Sequence, residues 1–266
     1  MPSTESDTRS RLPAVAGLFY PDDPYELQAV IRKYLDAVEP TSTRPKAIIV
    51  PHAGYVYSGA VAATAYRCLV GAEPPVTRVV IAGPSHRIAV PGIAVPESSA
   101  FETPLGRVPI DVATVGELQR LPHVVASNVA HRLEHSLEVQ LPFLQVTLGQ
   151  FSIVPLAVGE AAPSVVARVL EHCWGGPETL IVVSTDLSHF LDYATARVTD
   201  QATAAALVGG TDDLQDRQAC GCRVLNGLMR IVRRKELSVE LLDLRNSGDT
   251  SGDHSRVVGY GAFAIH

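Results

Sequence analysis

The 266-residue sequence is poor in cysteine, has a deficit of basic residues and lacks long hydrophobic runs. Its four cysteines form no Cys-x-x-Cys pair, which is typical of reduced thiols, and we expect a cytoplasmic protein. Lys and Arg number 22 against 28 Asp and Glu, without a basic stripe, so we expect no nucleic-acid partner. No window approaches 18 uncharged apolar residues, and we expect no membrane span.

The N-terminal end lacks the apolar core of a secretory signal. Its residues are polar with charges of both signs, so we expect residues 1–10 to form a flexible tail. Residues 11–266 show no internal repeat and no low-complexity linker, which favours a single domain.

Several common catalytic motifs are missing. There is no Gly-x-Ser-x-Gly elbow, no Gly-x-x-x-x-Gly-Lys-Ser/Thr loop and no Gly-x-Gly-x-x-Gly. These absences argue against an α/β-hydrolase serine nucleophile and against nucleotide binding. The Cys220-Gly-Cys222 sequence could be redox active, but apolar residues follow it at helical spacing. We therefore interpret both cysteines as part of a packed helix over Asp216–Lys235.

Three short apolar runs each end in a turn that carries a histidine. The turns deliver His52, His86 and His189, the last preceded by Asp186. The runs are Ile48–Val50, Val79–Ala82 and Leu180–Val183. Runs without polar alternation are typical of buried parallel strands, and ligands bind at the carboxyl ends of such strands. The pattern predicts that these side chains converge on one crevice as a metal or acid–base site.

The alternation of apolar runs with helical patterns predicts an α/β fold with a mostly parallel central sheet flanked by helices. A helix is expected from Pro24, capped by the preceding carboxylates. Residues 87–111 are rich in Pro, Gly and β-branched residues and predict a hairpin-like insert. Further expected helices are Ala60–Leu69, Val112–Leu121, Glu134–Leu148, Ser164–His172 and Tyr193–Val208. Further expected strands are Phe151–Val158, Val239–Leu244 and Val257–Ile265.

Two further pairs of ionisable residues are candidates for proton transfer. On the expected helix, His135 and Glu138 lie one turn apart, which suits a ligand pair or a hydrogen bond. The alternative is a solvated first turn. Asp186 can orient His189 and raise its basicity, or it can be an ordinary helix cap.

A late polar stretch offers a carboxylate to complete a metal site. Asp249 could supply the anionic ligand that two histidines need for a facial site, with Asp253 as its competitor. The alternative is an ordinary turn, because Asn, Ser, Gly and Asp are turn formers.

At these residues the chain resembles the Memo family, whose prokaryotic members are often labelled protein B of the AmmeMemoRadiSam system. The match runs nearly end to end through six ordered motifs. They are Pro13–Pro21, Pro51–Gly59, Gly83–His86, Glu134–Glu138, Ser184–His189 and Val258–Tyr260.

The resemblance implies a fold similar to the class III extradiol dioxygenases, which are non-haem iron enzymes. His52 and His86 match the family's metal-binding histidines, and His135, Asp186 and His189 match other pocket positions. Animal members bind copper or iron with a cysteine near the C-terminal end of the site. Here no cysteine lies beyond Cys222, and Asp249 falls near that place. An oxygen ligand suits Fe(II) better than copper(I), so we expect Fe(II), with copper or zinc as alternatives.

We therefore expect a redox metalloprotein of dioxygenase type, with His52, His86 and Asp249 as ligands. His135 or His189, with Asp186 or Glu138, would move protons. A non-catalytic protein that binds a peptide or small-molecule ligand and a zinc-dependent hydrolase are the alternatives. The resemblance also implies radical-SAM and AMMECR-type protein partners.

Overall fold

The computed structural model describes residues 10–40 and 43–266, which form an α/β fold around one large sheet. Most of the expected tail, residues 1–9, lies outside the described residues, whereas Ser10 belongs to a two-residue strand. The strands are Ser10–Arg11 (β1), Ala47–Val50 (β2), Arg78–Pro84 (β3), Ile93–Val95 (β4), Ala100–Thr103 (β5), Gly106–Pro109 (β6), Val124–Ala126 (β7), Ser152–Val158 (β8), Thr179–Ser184 (β9), His189–Leu191 (β10), Val239–Asn246 (β11) and Val257–Ile265 (β12). The helices are Pro24–Asp36 (α1), Tyr55–Arg67 (α2), Val112–Leu118 (α3), Asn128–Arg132 (α4), Leu141–Thr147 (α5), Pro163–His172 (α6), Tyr193–Val208 (α7), Cys222–Arg234 (α8) and Gly248–Ser251 (α9).

Four parallel strands, in the order β2–β9–β3–β8, form the centre of the nine-stranded sheet in the described residues. β12 pairs antiparallel with β2 and also carries β10 and β11. On the other side, β4 pairs antiparallel with β8 and parallel with β7. The expected parallel sheet is confirmed at its centre, with antiparallel strands added on both sides. A separate sheet of β1, β5 and β6 contains the expected hairpin.

The central strands are apolar on both faces because helices cover both sides. Every residue of β2 and β9 is buried. Burial of one Val, Leu or Ile side chain stabilises a fold by about 1.5–3 kcal/mol, so these strands contribute a large part of the stability of the core. On one side, α2 packs on the core through Tyr66, which stacks on Phe143 with ring centroids 4.8 Å apart.

Two helix starts show how local contacts set the boundaries. Asp23 caps α1 by accepting hydrogen bonds from the N–H groups of Tyr25 and Glu26, and Pro24 occupies the first turn as expected. The next helix, α2, begins at residue 55, earlier than the expected residue 60. Its first residue, Tyr55, donates its N–H to Phe19 O and its hydroxyl to Val139 O.

Two expected helices are shorter than the sequence pattern indicates. Residues 134–137 form a turn, Glu138–Gln140 form a 3-10 helix, and the α-helix begins only at residue 141. The Glu134 side chain accepts the N–H of Ser136 and contacts Nδ1 of His86, so residue 134 lies in a turn ahead of the helix. In the second case α8 begins at Cys222, because the N–H of Gly221 donates to Thr185 Oγ1 and holds the preceding residues in a turn. Within the described ranges, no helix is long and apolar enough to cross a bilayer.

Candidate metal centre

The turns after β2 and β3 bring His52 and His86 together, with ring centroids 5.1 Å apart. Cys220, in the turn before α8, completes a group whose nitrogen and sulfur ligand atoms all lie within 4.8 Å of one another. Bonds of about 2.0 Å to nitrogen and about 2.3 Å to sulfur place ligand atoms roughly 3–4 Å apart. The three side chains are therefore within reach of a single ion.

Hydrogen bonds fix which nitrogen of His52 is available. Its Nδ1 lies 3.0 Å from Ser184 Oγ, which donates its own proton to Ser136 O at 2.5 Å. The Ser184 hydroxyl can therefore only accept from His52, so Nδ1 carries the hydrogen and Nε2 keeps a lone pair. Burial lowers the pKa of His52 to about 3. The ring is neutral at physiological pH, as a metal ligand must be.

The thiol of Cys220 faces this lone pair, with Sγ 3.4 Å from His52 Nε2. Asp186 also donates its backbone N–H to the sulfur at 3.4 Å. Burial raises the pKa of Cys220 to about 12, so the thiol keeps its proton until a metal displaces it. Cys220 precedes α8 and is not part of the packed helix that the sequence pattern indicated.

The structure does not bring Asp249 to this group. Its carboxylate accepts the Tyr193 hydroxyl at 2.7 Å and the N–H of Asn246 at 2.8 Å, and Asp249 is exposed on the short helix α9. Within the described residues, no group of three candidate ligands includes Asp249 or Asp253. Cys220 replaces Asp249 as the third candidate ligand, since the turn before α8 reaches the crevice and helix α9 does not.

Two of the expected proton-transfer residues lie beside the ligands. Asp186 accepts the backbone N–H of His52 at 2.7 Å, and its second oxygen lies 4.0 Å from His52 Nε2. Burial raises the pKa of Asp186, so it binds a proton more readily than an exposed aspartate. The ring of His135 lies 5.5 Å from that of His52 and 4.9 Å from that of His86. Burial lowers the pKa of His135 to about 4, which keeps the ring neutral.

His189 occupies the edge of the same crevice. His189 is the first residue of the short strand β10, which the sequence pattern did not predict. The alternative of a helix start at this turn is not what the structure shows. Nδ1 of His189 lies 2.8 Å from Leu187 O and must donate to this carbonyl, so Nε2 is left for other contacts. Burial raises the pKa of Asp186, and the electrostatic interaction with His189 opposes this rise.

Glu134 is a buried carboxylate at the site that sequence reasoning missed. It lies 3.0 Å from His86 Nδ1 and 3.5 Å from His135 Nδ1, and these three residues form a second group of potential ligands. Burial alone raises the pKa of Glu134, but hydrogen bonds from His86 and Ser136 outweigh it and lower the pKa to about 2. Its place directly before His135 in the motif was the available signal.

Glu138 holds the N-terminal segment and does not face the ligands. It is fully buried and pairs with the Arg11 guanidinium at 2.6 Å. It also accepts hydrogen bonds from the N–H groups of Ala14 and Val15 and from the Tyr20 hydroxyl at 2.6 Å. These partners saturate its oxygens, so we interpret Glu138 as a clamp on residues 11–20.

The clamped segment forms one wall of the site. The Phe19 ring lies edge-on against His135 with centroids 4.9 Å apart. A cavity of about 270 Å³ opens beside His86 and Cys220, with Glu160 and Arg223 in its wall. This volume suits a small molecule. A larger cavity, about 440 Å³, lies between β6 and the end of α5 and contains none of the candidate ligands.

The fold and the site define an α/β protein with a candidate metal centre at the carboxyl ends of its parallel strands. The family model described as Memo-like protein matches residues 11–264. A MEMO1 family protein of Aquifex aeolicus is 37% identical over 264 residues, covering 95% of this chain and 97% of the relative. One of Ignicoccus hospitalis is 38% identical over 279 residues, with the same coverages. The chain therefore belongs to the Memo family.

A solved structure supports the fold independently. The crystal structure of an uncharacterized protein from Escherichia coli K12 aligns with a TM-score of 0.51 and covers 83% of this chain and 99% of that chain. The sequences are only 13% identical, so the likeness concerns the fold alone.

Proposed function

We propose that this protein is a metal-dependent redox enzyme of dioxygenase type in which His52, His86 and Cys220 hold one ion. The observation that carries the proposal is the convergence of their ligand atoms within 4.8 Å. Two neutral imidazoles and a thiol suit copper, zinc or Fe(II). The preference for Fe(II) over copper(I) rested on the oxygen ligand Asp249, and Cys220 removes that reason. A bound copper or iron ion would supply one-electron chemistry with dioxygen.

The neighbouring side chains have distinct roles in this proposal. Asp186, whose pKa is raised by burial, is the candidate proton donor. His135, held neutral by burial, is the candidate proton acceptor. His189 presents Nε2 at the edge of the crevice and can orient a substrate hydroxyl. Phe19 covers His135 and limits access of water from that side.

Metal loading followed by oxygen uptake tests the proposal. The purified chain is stripped of metal, loaded anaerobically with Fe(II), Cu(I) or Zn(II), and assayed with a panel of catechols. We expect one equivalent of bound ion and oxygen uptake with iron or copper but not zinc. The His52→Ala variant loses both, whereas the control Asp249→Asn retains both. Failure of the wild type to bind any of the three ions contradicts the proposal, as does turnover that needs no oxygen.

A pocket-binding protein without turnover is the second candidate, and it is favoured by apolar side chains exposed near the site. Leu18 is 80% exposed and Phe190 61%, and they adjoin Phe19 and His189 in the chain. Peptide or small-molecule binding that is lost in His52→Ala without oxygen uptake supports this candidate. The radical-SAM and AMMECR-type partners stay predictions, which co-purification from the native host tests.

A further inference from the structure

The two candidate histidine ligands are held in different ways. His52 is 2% exposed, and its Nδ1 meets Ser184 inside the core. The side chain of His86 is 29% exposed and follows β3 on an open turn. Packing alone does not fix a ring with that much exposure, since alternative rotamers remain accessible in solvent. A directional contact is needed to aim His86 at the site.

Glu134 makes that contact. Its Oε1 lies 3.0 Å from His86 Nδ1, and its Oε2 accepts the backbone N–H of the same residue at 2.5 Å. Oε1 also accepts the N–H of Ser136 at 2.9 Å. The two backbone partners are N–H donors, and an ionised carboxylate can only accept, so His86 Nδ1 must donate as well. The hydrogen of the His86 ring therefore lies on Nδ1, and the lone pair lies on Nε2.

We propose that Glu134 is the positioning residue for His86, fixing its ring orientation and its Nδ1–H tautomer so that Nε2 is the metal-binding atom. The inference rests on the proposed function, because it assigns the role of His86 in that metal site. Carboxylates that accept the second N–H of a histidine ligand commonly orient the ring and increase its basicity.

The same contacts argue against Glu134 as a metal ligand. With His86 and His135 it forms a group whose ligand atoms lie within 4.8 Å, which by distance alone could hold an ion. However, both Glu134 oxygens already accept N–H donors. The side chain is also 1% exposed, so it has little freedom to turn toward an ion. We therefore expect one ion per chain.

The turn that contains Glu134 supports both histidines. The N–H of Ser136 donates to Glu134 Oε1, whereas the carbonyl of Ser136 accepts the Ser184 hydroxyl at 2.5 Å. Ser184 in turn faces His52 Nδ1. Ser136 thus links Glu134, which faces Nδ1 of His86, to Ser184, which faces Nδ1 of His52.

Replacing the carboxylate by its amide tests the role. Glu134→Gln keeps the shape but offers one acceptor oxygen, and its NH₂ group faces a donor. One of the two contacts to His86 is therefore lost. In the metal-free protein, long-range ¹H–¹⁵N spectra of the imidazole rings should show the Nδ1–H form of His86 in the wild type and a mixture in Glu134→Gln. In Zn(II) titrations the affinity should fall about 10- to 100-fold, with the stoichiometry unchanged at one.

The matched control is Glu117→Gln, which alters a Glu–His pair far from the site. Glu117 lies 3.0 Å from His172 Nε2 on the surface, and its replacement should change neither the His86 tautomer nor the Zn(II) affinity. Glu134→Asp keeps the charge and should restore the Nδ1–H form even if Glu134→Gln folds poorly.

Three results overturn the inference. They are a wild-type tautomer in Glu134→Gln, a mixed tautomer in Glu134→Asp, or a fall from two bound ions to one in Glu134→Gln. The spectra of the metal-free protein separate this inference from the proposed function. A changed tautomer in Glu134→Gln together with no metal binding by the wild type supports the positioning role and rejects the metal function.

Discussion

The Sγ atom of Cys220 lies 3.4 Å from Nε2 of His52, although 168 residues separate them in the sequence. Thr185 explains the approach because it joins the two segments. Its N–H donates to the carbonyl of Val50, at the end of β2, and its hydroxyl accepts the N–H of Gly221. The loop after β9 thus holds the turn before α8 against the turn that carries His52.

The first prediction concerns the thiol as a ligand. Cys220→Ser should reduce Zn(II) affinity by at least about tenfold and abolish the thiolate charge-transfer absorption of the Co(II)-loaded protein, because the hydroxyl is a much weaker donor to these ions. Cys222→Ser is the matched control. Cys222 donates to Asp216 Oδ1 at 2.9 Å, a hydrogen bond that serine can keep. If Asp249→Asn impairs metal binding more than Cys220→Ser does, Cys220 is not the third ligand.

The second prediction concerns the pH dependence of metal binding. The pKa of Cys220 is raised to about 12, and those of His52 and His135 are lowered to about 3 and 4. Between pH 6 and 9 His52 and His135 are already neutral, whereas the Cys220 thiol must lose a proton when the ion binds. The Zn(II) association constant should therefore rise about tenfold per pH unit, with one proton released per ion. Isothermal titration in buffers of different ionisation enthalpy measures this release. A pH-independent affinity would contradict the assignment of Cys220.

The third prediction concerns the clamp formed by Glu138. Glu138→Gln leaves the buried Arg11 guanidinium without its counter-charge, so the free energy of unfolding should fall by about 3–5 kcal/mol. Hydrogen exchange should become faster in residues 11–20 before the rest of the chain. Tyr20→Phe removes one neutral donor and should cost only about 1 kcal/mol. Loss of turnover at full stability would instead support the catalytic role that the sequence suggested for Glu138.

The fourth prediction concerns acid stability through a histidine outside the site. His131 is 1% exposed, and burial lowers its pKa to about 4 from an ordinary 6.5. As the pH falls from 6.5 to 4, the unfolded chain therefore binds a proton at His131 before the folded chain does. The stability that the neutral ring contributes is complete above pH 6.5 and is lost toward pH 4.

Urea unfolding of His131→Gln isolates this contribution. Between pH 7 and pH 5 the wild type should lose roughly 2 kcal/mol more than the variant, because the other titrating groups are common to both. An equal loss in the two proteins would show that the ring titrates normally in the folded state.

Much of the fold follows from sequence patterns that are local. Aliphatic runs predicted the four central strands, and an aspartate followed by proline predicted α1, because burial and capping act over a few residues. The sequence also predicted that His52 and His86 converge, because the carboxyl ends of parallel strands lie at one edge of the sheet. The helix at 134–148 was wrong in its first part because the Glu134 side chain caps the N–H of Ser136 and contacts His86, a distant residue that periodicity does not report.

The position of the third candidate ligand, Cys220, depends on contacts between distant segments. Cys220 precedes apolar residues at helical spacing, so its pattern indicated a buried helix. Gly221 was the only local sign that the helix does not extend through Cys220. Its N–H donates to Thr185, which lies 36 residues earlier in the chain. Likewise, the pairing of Arg11 with Glu138 joins the first described strand to the middle of the chain. No local pattern reports such a pair, which is why Glu138 was interpreted as a proton-transfer residue.

Diffraction data collected at the metal's absorption edge, from crystals loaded with Zn(II) or Cu(I), would locate the ion. One anomalous peak is expected, bonded to Nε2 of His52, Nε2 of His86 and Sγ of Cys220, at about 2.0–2.1 Å from nitrogen and about 2.3 Å from sulfur. A peak at Asp249, or no peak between the two histidines in a fully loaded crystal, would contradict this assignment of the ligands.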